Sequence, residues 1–286
     1  MPVYISVVLC TYNDEKYIAE SIQSILDQTY PYFEFIIIDD GSTDETNKII
    51  KSFVDSRIIL IEKANTGLID SLNIGFARAK YDWVARMDGD DISLPERLET
   101  QVKYIKNSVA VIGSQCALIN ENGDTIGHTW FKSKHRDIIH FMKIGLPVLA
   151  HPSVLINKKM FDLSNGYDKL MYVAEDFDLW CKLSHYGELM NINKELLCLR
   201  KHSSNISSLK QDSQFLNTKI ALFKLKHRLI GISQSEYNCI KNNVESSFIY
   251  KRVYNYRNIN DVRNIPLRKM LRIVSFVYNI IYYFFL

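Results

Sequence analysis

Continuous apolar runs that alternate with amphipathic stretches constrain the fold more than any other feature of this sequence. Four such runs are present, Tyr4 to Leu9, Phe33 to Ile38, Ile58 to Ile61 and Trp83 to Met87. The stretches between them carry apolar residues at helical spacing, as in Ile18, Ile22 and Ile25. Strands that are apolar throughout are typical of parallel sheets covered by helices on both faces. The sequence therefore predicts an α/β fold with a mostly parallel, Rossmann-like sheet.

Polar residues follow three of these predicted strands directly. Thr11 and Tyr12 come after the first strand, Asp40 after the second, and Asp88 after the fourth. The carboxyl ends of parallel strands meet at one edge of a sheet, and open α/β sheets bind their ligands at that edge. We therefore expect the three loops to form one site.

The third of these loops crowds three carboxylates, Asp88, Asp90 and Asp91, around Gly89. Like charges this close repel and raise one another's pKa unless a cation compensates them. Carboxylate oxygens in a short turn suit Mg²⁺ or Mn²⁺, which can carry the phosphate oxygens of a nucleotide. A solvated Asp-Gly turn is the alternative interpretation, since both residues are ordinary in turns.

Four other α/β classes lack their signatures. A dinucleotide-binding dehydrogenase needs GxGxxG after the first strand, where this chain has Cys10 to Glu15, CTYNDE. No Walker A loop occurs, and Ile38 stands where a haloacid-dehalogenase-type phosphatase has its nucleophilic Asp. A nucleotidylyltransferase would have a Gly-rich first loop, which is also absent.

The regular alternation of strands and helices ends after a helix predicted from Pro95 to about Asn107. A fifth strand is predicted at Ala110 to Gly113. Asn122-Gly123 is a strong hairpin signal between Ala117–Ile119 and Thr125–Ile126. These patterns add a small antiparallel part to the parallel half.

A second acidic cluster, Glu175, Asp176 and Asp178, opens a helix predicted before His185. Acidic residues in a first helical turn are often only stabilising the helix dipole, which is the alternative to a catalytic role. A strand at Leu189 to Leu199 then leads to His202. A lone His is more often a surface or hydrogen-bonded residue than a ligand. The patterns at 212–229 and 234–257 are helical.

Charge is distributed unevenly along the chain. Residues 200–286 contain 15 Lys and Arg against 4 Asp and Glu, whereas the rest contains 20 against 28. A basic region favours a polyanionic partner such as an anionic membrane surface. Nucleic acid is the other polyanion, but the sequence has no zinc-finger, aromatic RNA-binding or basic-zipper pattern. We therefore expect no nucleic-acid partner.

Two features indicate a reducing, cytoplasmic location. The five cysteines are scattered without CxxC spacing, which predicts neither a disulfide framework nor a zinc site. The N-terminus, MPVYISVVLCTYN, lacks the pattern of a signal peptide and is predicted as the first strand.

Five segments, taken in order, resemble family 2 glycosyltransferases of the GT-A fold across roughly residues 4 to 205. They are SVVLCTYNDEKYIAESIQSILDQTY, FEFIIIDDGSTDET, WVARMDGDD followed by LPERL, HPSVL, and EDFDLW. The resemblance implies a catalytic domain at 1–205, with a nucleotide-sugar half at 1–113 and an acceptor half at 114–205. A helical, basic C-terminal region would follow at 206–286.

Carried over residue by residue, the resemblance implies a nucleotide pocket at the first two loops. Thr11, Tyr12 and Glu15 would line it, and Asp40 would hydrogen-bond the uracil ring. Asp88 matches the first Asp of the family's DxD signature, which lies near the ribose and also belongs to the metal site.

The chemistry of the family implies roles for the remaining residues. Asp90 and His202 would complete the Mn²⁺ or Mg²⁺ site, whose charge stabilises the departing diphosphate. Asp176 matches the catalytic base that removes the acceptor hydroxyl proton, so that in-line attack inverts the anomeric carbon. His151 and Glu175 would contact the acceptor or the donor sugar.

The resemblance implies transfer from a UDP-hexose to a saccharide or lipid-linked acceptor in bacterial polysaccharide assembly. The sequence after Asp176, FDLWCKLS, lacks the QxxRW motif of processive synthases, which favours transfer of a single sugar. A non-catalytic nucleotide-sugar-binding module on the same fold is the alternative. The chain could also form a homo-oligomer.

The C-terminal end is apolar from Leu271 to Leu286 and is preceded by Arg263, Arg268 and Lys269. A segment this short favours shallow insertion at the inner face of the cell membrane over a full crossing. The alternative is a helix packed on the catalytic domain or in a dimer contact.

Overall fold

The computed structural model describes residues 2–202 and 211–246 of the 286-residue chain. Its first half alternates strands and helices: β1 (Ile5–Thr11), α1 (Ile18–Leu26), β2 (Phe33–Asp39), α2 (Thr46–Ser52), β3 (Ile58–Glu62), α3 (Leu68–Arg78) and β4 (Trp83–Asp88). The middle contains β5 (Ile92–Ser93), α4 (Arg97–Val102), β6 (Val109–Ile119), β7 (Thr125–His128), α5 (His135–Lys143), β8 (Leu155–Asn157) and α6 (Lys158–Leu163). The last described elements are α7 (Glu175–Leu183), β9 (Glu188–Arg200), α8 (Gln211–His227) and α9 (Gln234–Ser246).

The first four strands form the parallel sheet that the apolar runs predict. The order is β3-β2-β1-β4, and every residue of β1 is buried. Helix α1 buries Ile18, Ile22 and Ile25 against one face of this sheet, and α3 buries Leu72 and Phe76 in the other core layer. Burying apolar side chains in these two layers is the main favourable contribution to folding.

The register places the predicted loops at one edge. Cys10 pairs with Asp88, and Thr11 pairs with Asp39, so β1, β2 and β4 end at the same level. The expectation that the three loops meet at the carboxyl edge is confirmed.

The second half of the chain extends the sheet with mixed strand directions. Strand β8 is antiparallel to both β4 and β6, whereas β6 and β9 run parallel. Strand β7 pairs with β6 as the predicted hairpin, with Gly123 at φ 91° in its loop. The short β5 is antiparallel to β9. The result is the predicted α/β fold, a mixed and mostly parallel sheet with helices around it.

Two predicted boundaries are wrong. The strands expected at 110–113 and 117–119 are one continuous strand, β6, because the polar residues between them are buried and hydrogen-bonded. Gln115, for example, donates to the carbonyl of Phe131 at 2.8 Å. Helix α4 ends at Val102 and does not reach Asn107. The short strands β5 and β8 were not predicted, because so few residues leave no periodic pattern.

Helix α8 packs on α7 rather than standing apart. Leu216, Ile220 and Ala221 of α8 are buried in the same core as Leu179 and Trp180 of α7. In residues 2–202 and 211–246, no helix is both long and apolar enough to cross a bilayer. The predicted membrane-associating end at 271–286, together with the predicted helical residues beyond Ser246, lies outside the described residues.

Candidate active site

Helix α1 is hydrogen-bonded to the acidic turn that follows β4. The Ser21 hydroxyl lies 2.7 Å from the carbonyl oxygen of Asp88 and 2.6 Å from that of Asp91. One buried side chain therefore fixes both ends of the acidic turn.

The end of β9 holds the same turn from the other side. The backbone N–H of Arg200 donates to the Asp91 carboxylate at 2.8 Å, and its Nε donates to the Asp90 carbonyl at 2.8 Å. The Arg200 guanidinium also pairs with Glu20 of α1 at 2.5 Å. The chain leaves β9 at Arg200, and two residues later the Nε2 of His202 lies 2.8 Å from the Oδ2 of Asp90.

The three carboxylates form a group that fits a divalent cation. Asp88, Asp90 and Asp91 each offer an oxygen within 4.8 Å of the others. The Oδ2 of Asp91 is buried and has no hydrogen-bond partner among the described residues. Burial and the neighbouring carboxylate of Asp90 raise the pKa of Asp91 well above its usual value. Carboxylate oxygens with an adjacent imidazole suit Mg²⁺ or Mn²⁺, and such an ion would supply the missing positive charge.

Arg86 is the buried cation of the site. It is 2 % exposed and forms an ion pair with Asp88 through both guanidinium NH₂ groups. Its Nε has no hydrogen-bond partner among the described residues. Burial raises the pKa of Asp88 to about 6, while the charge of Arg86 lowers it. The Arg86 charge also lowers the pKa values of Glu175 and Asp176, so it favours the ionised form of acids in both acidic clusters.

The loop after β1 touches the acidic turn. The Thr11 hydroxyl donates to Asp14 at 2.7 Å, and the backbone N–H of Tyr12 lies 3.4 Å from the same oxygen. A Cβ at Gly89 would lie 2.6 Å from this oxygen of Asp14. A side chain at position 89 would therefore displace the Asp14 carboxylate that accepts the hydrogen bond from Thr11. Tyr12 itself is 46 % exposed.

Asp40 and Glu15 have partners within the chain. The buried Asp40 carboxylate accepts from the N–H groups of Thr66 and Gly67, both at 2.9 Å, and pairs with Lys63. Glu15 is exposed and accepts from the backbone N–H of Glu45 at 3.0 Å. The contact with uracil remains a prediction for Asp40, whose carboxylate also orders the loop before α3.

Glu175 and Asp176 lie together in the first turn of α7, both half-buried. Asp176 accepts from the N–H of Phe177 at 2.6 Å. Burial raises the pKa of Asp176, and burial together with the Asp176 charge raises the pKa of Glu175 to about 7. A carboxyl pair with raised pKa values can exchange protons near neutral pH.

His151 faces the interior beside these acids. Its Nε2 lies 2.7 Å from the hydroxyl of Tyr167, and its ring lies edge-on to Trp180. Burial and the Arg86 charge lower the pKa of His151 well below its usual value. The neutral imidazole therefore acts as a hydrogen-bond partner of Tyr167.

Helix α7 is anchored to α8 by buried charges. Lys224 of α8 lies 2.7 Å from Asp178 of α7 and 3.0 Å from Asp168. Lys182 lies 3.2 Å from Asp178 and donates to the carbonyl of Gly166. Two buried cations are balanced by two carboxylates, and this arrangement fixes the helix that begins with Glu175 and Asp176.

Sequence reasoning missed Arg86, Asp14, Ser21 and the anchor residues. Arg86 gave a usable signal, because a charged residue inside an otherwise apolar strand needs a buried partner. The ion pairs of Lys224 depend on contacts between distant parts of the chain, which no local pattern reveals.

Comparisons with known proteins agree with the resemblance seen in the sequence. The model of Glycosyl transferase family 2 matches residues 6–163, more than half of the chain. The O-antigen biosynthesis glycosyltransferase WbnJ of Escherichia coli is 35% identical over 63% of this chain and 71% of its own. The putative glycosyltransferase EpsE of Bacillus subtilis is 35% identical over 70% of this chain and 73% of its own.

A solved structure has the same fold. The structure of S. aureus TarS 1-349 in complex with UDP-GlcNAc matches with a TM-score of 0.68 at 18% identity, covering 91% of this chain and 77% of that TarS chain. At this identity the likeness concerns the fold, which is the GT-A fold. The family match shows that the chain belongs to glycosyl transferase family 2.

Proposed function

We propose that this chain transfers a single sugar, with inversion, from a nucleotide-diphosphate sugar to a saccharide or lipid-linked acceptor. The donor is a UDP-hexose, and the product enters cell-surface polysaccharide. One observation carries the proposal. The carboxylate of Asp90 lies beside His202 and close to that of Asp88, and a second carboxyl pair, Glu175 and Asp176, shares the field of Arg86 with Asp88.

Asp176 is the general base of the proposed reaction. As a carboxylate it takes the proton of the acceptor hydroxyl, and the oxygen forms its bond to the anomeric carbon. The bond from that carbon to the diphosphate oxygen breaks on the opposite face, so the configuration inverts. The hydrogen bond from the N–H of Phe177 holds the Asp176 carboxylate in place. Burial raises the pKa of Asp176 by more than this hydrogen bond lowers it, so the pKa stays above its usual value. A raised pKa improves a base that must work near neutral pH.

Asp88, Asp90 and His202 would hold Mn²⁺ or Mg²⁺. When bound, the ion stabilises the negative charge that develops on the diphosphate. Arg86 keeps Asp88 ionised and oriented toward this site.

The donor nucleotide occupies the loops after β1 and β2. Thr11 and Tyr12, in the loop after β1, line the pocket next to Gly89. Glu15, in the same loop, accepts a hydrogen bond from the N–H of Glu45. Asp40 binds the base while ordering the loop at Thr66. TarS, which shares the fold, binds UDP-GlcNAc, and this likeness supports a nucleotide-sugar donor.

The acceptor belongs to polysaccharide assembly at the inner face of the cell membrane. WbnJ, at 35% identity, is an O-antigen biosynthesis enzyme, which supports this setting. Glu175 and His151 are the residues that contact the sugars. The basic, apolar end of the sequence at 263–286 supports attachment to an anionic membrane.

The test is turnover with a panel of UDP, GDP and dTDP sugars in the presence of Mn²⁺. The Asp176→Asn variant should lower kcat by about two powers of ten and retain donor binding, because a base is lost while the pocket stays intact. Asp162→Asn, an exposed carboxylate on α6, is the matched control. Tight donor binding by the wild type without turnover, on any acceptor, would favour the non-catalytic binding module.

A further inference from the structure

A groove runs between α5, the end of α7 and the end of α8. Its volume is about 710 Å³, and its lining includes His135 and Lys143 of α5, His185 after α7, and Lys226 and Arg228 at the end of α8. The candidate active site begins α7, whereas His185 follows its other end. The groove is therefore a separate surface.

The lining is basic and lacks compensating acids. Among the described residues that line the groove, none is a carboxylate. Lys143, Lys226 and Arg228 are exposed, and no described carboxylate lies within ion-pair distance of them. Asp137 of α5 lies 3.6 Å from Arg136, outside the lining. Cations that find no counter-charge within the fold are free to meet an external anion.

The same groove exposes apolar side chains between the charges. Ile139, Leu222 and Leu225 line it, and Phe223 is 39% exposed. Ile144, next to Lys143 at the end of α5, is 59% exposed. Basic residues interleaved with exposed apolar residues are typical of surfaces that lie in the interface of an anionic bilayer.

We propose that this groove docks on anionic membrane lipid, with Lys143, Lys226 and Arg228 on the headgroup phosphates and Phe223 at the acyl boundary. The basic charge is complementary to anionic lipid and to an acidic protein alike. The exposed apolar side chains favour lipid, because an acidic protein would not require them. The sequence after α9 is basic and then apolar, a composition that suits the same kind of anionic surface. The docking surface goes beyond the proposed function and does not require catalysis.

The experiment compares three full-length proteins in flotation with vesicles of phosphatidylglycerol and phosphatidylcholine. The groove variant is Lys143→Glu/Lys226→Glu/Arg228→Glu. The control variant is Arg78→Glu/Lys80→Glu/Lys106→Glu, which changes the net charge equally at exposed positions outside the groove. Thermal melting confirms that each protein is folded, and vesicles of phosphatidylcholine alone measure binding without surface charge.

The groove variant should partition to anionic vesicles about 100-fold less than the wild type, since each basic residue near such a surface contributes about fivefold. The control variant should lose less than about threefold, because distant charges are screened. Equal loss by the two variants, or no loss by either, would overturn the docking surface.

A further arm separates lipid from soluble phosphate. Inorganic phosphate should bind the wild type no better than the groove variant in calorimetry, and tight binding that the groove variant loses would make the groove a site for a soluble anion instead. Transfer to a soluble acceptor should be the same for both variants. A failure of docking with intact transfer therefore leaves the proposed function standing.

Discussion

The Nε2 of His202 lies 2.8 Å from the Oδ2 of Asp90, although 112 positions separate the two residues in the chain. Strand β9 produces this meeting, because Arg200 at its end is hydrogen-bonded to the acidic turn. His202 therefore reaches Asp90 as a consequence of how β9 ends.

Asp90→Ala and His202→Ala should each weaken the binding of UDP with Mn²⁺ by about 10- to 100-fold, because each removes a donor atom from the proposed metal site. Calorimetry with UDP, with and without Mn²⁺, measures the effect. His227→Ala, an exposed histidine on α8, is the control. Unchanged affinity in both variants would remove these residues from the metal site.

Glu175→Gln should leave the acidic limb of the kcat profile at its wild-type pH. In the wild type a base of raised pKa loses activity as the pH falls through that pKa, above the ordinary Asp value of about 3.9. The charge of Asp176 helps to raise the pKa of Glu175 to about 7, so Glu175 is already protonated at the lower pH where Asp176 gains its proton, and its removal takes no charge away from Asp176 there. Glu188→Gln, exposed at the start of β9, is the control and should also leave the limb in place. Disappearance of the limb in Glu175→Gln would assign the base to Glu175.

Lys224→Met should lower the free energy of unfolding by about 3–5 kcal/mol, since Asp178 would lose its closest cation while fully buried. Denaturant titration measures the loss, and Lys226→Met, exposed on the same helix, should change it by less than about 0.5 kcal/mol. Lys224→Met/Asp178→Asn should recover part of the stability. A double variant no more stable than Lys224→Met would mean that the ion pair is not the cause.

Gly89→Ala should impair donor and metal binding together. The added Cβ would lie 2.6 Å from the Asp14 carboxylate and 3.0 Å from the Thr11 hydroxyl, so the turn or the first loop must move. We expect a loss of about tenfold or more in UDP affinity, of the size that removing a supporting contact produces at metal sites. Gly231→Ala, where nothing lies within 4 Å, is the control. Equal affinities in the two variants would show that the contact is not needed.

The sequence was sufficient to predict the parallel half of the fold and the meeting of the three loops. Runs such as Phe35 to Ile38 are apolar at every position, and this pattern has few solutions besides a covered parallel sheet. It was not sufficient for strand β6, where buried Ser114 and Gln115 suggest a break. The N–H of Ser114 donates to Ser153 and the side chain of Gln115 donates to Phe131, so the local sequence carries no sign that they are buried.

The acidic residues of the site were found because their clusters are dense, whereas the cations were not. Asp88, Asp90 and Asp91 stand together in sequence, but Arg200 and Lys224 compensate acids through tertiary contacts. Pairing of opposite charges over long separations follows from the fold and must be observed there.

The anchor between α7 and α8 also limits how this enzyme can be recombined with its relatives. The family match ends at residue 163, before Asp168, Asp178, Lys182 and Lys224. A chimera joined between α7 and α8 would combine one half of this charge set with a foreign partner, leaving a charge buried without compensation. A segment exchanged to alter specificity must therefore include residues 168 to 224 together, all taken from the same protein.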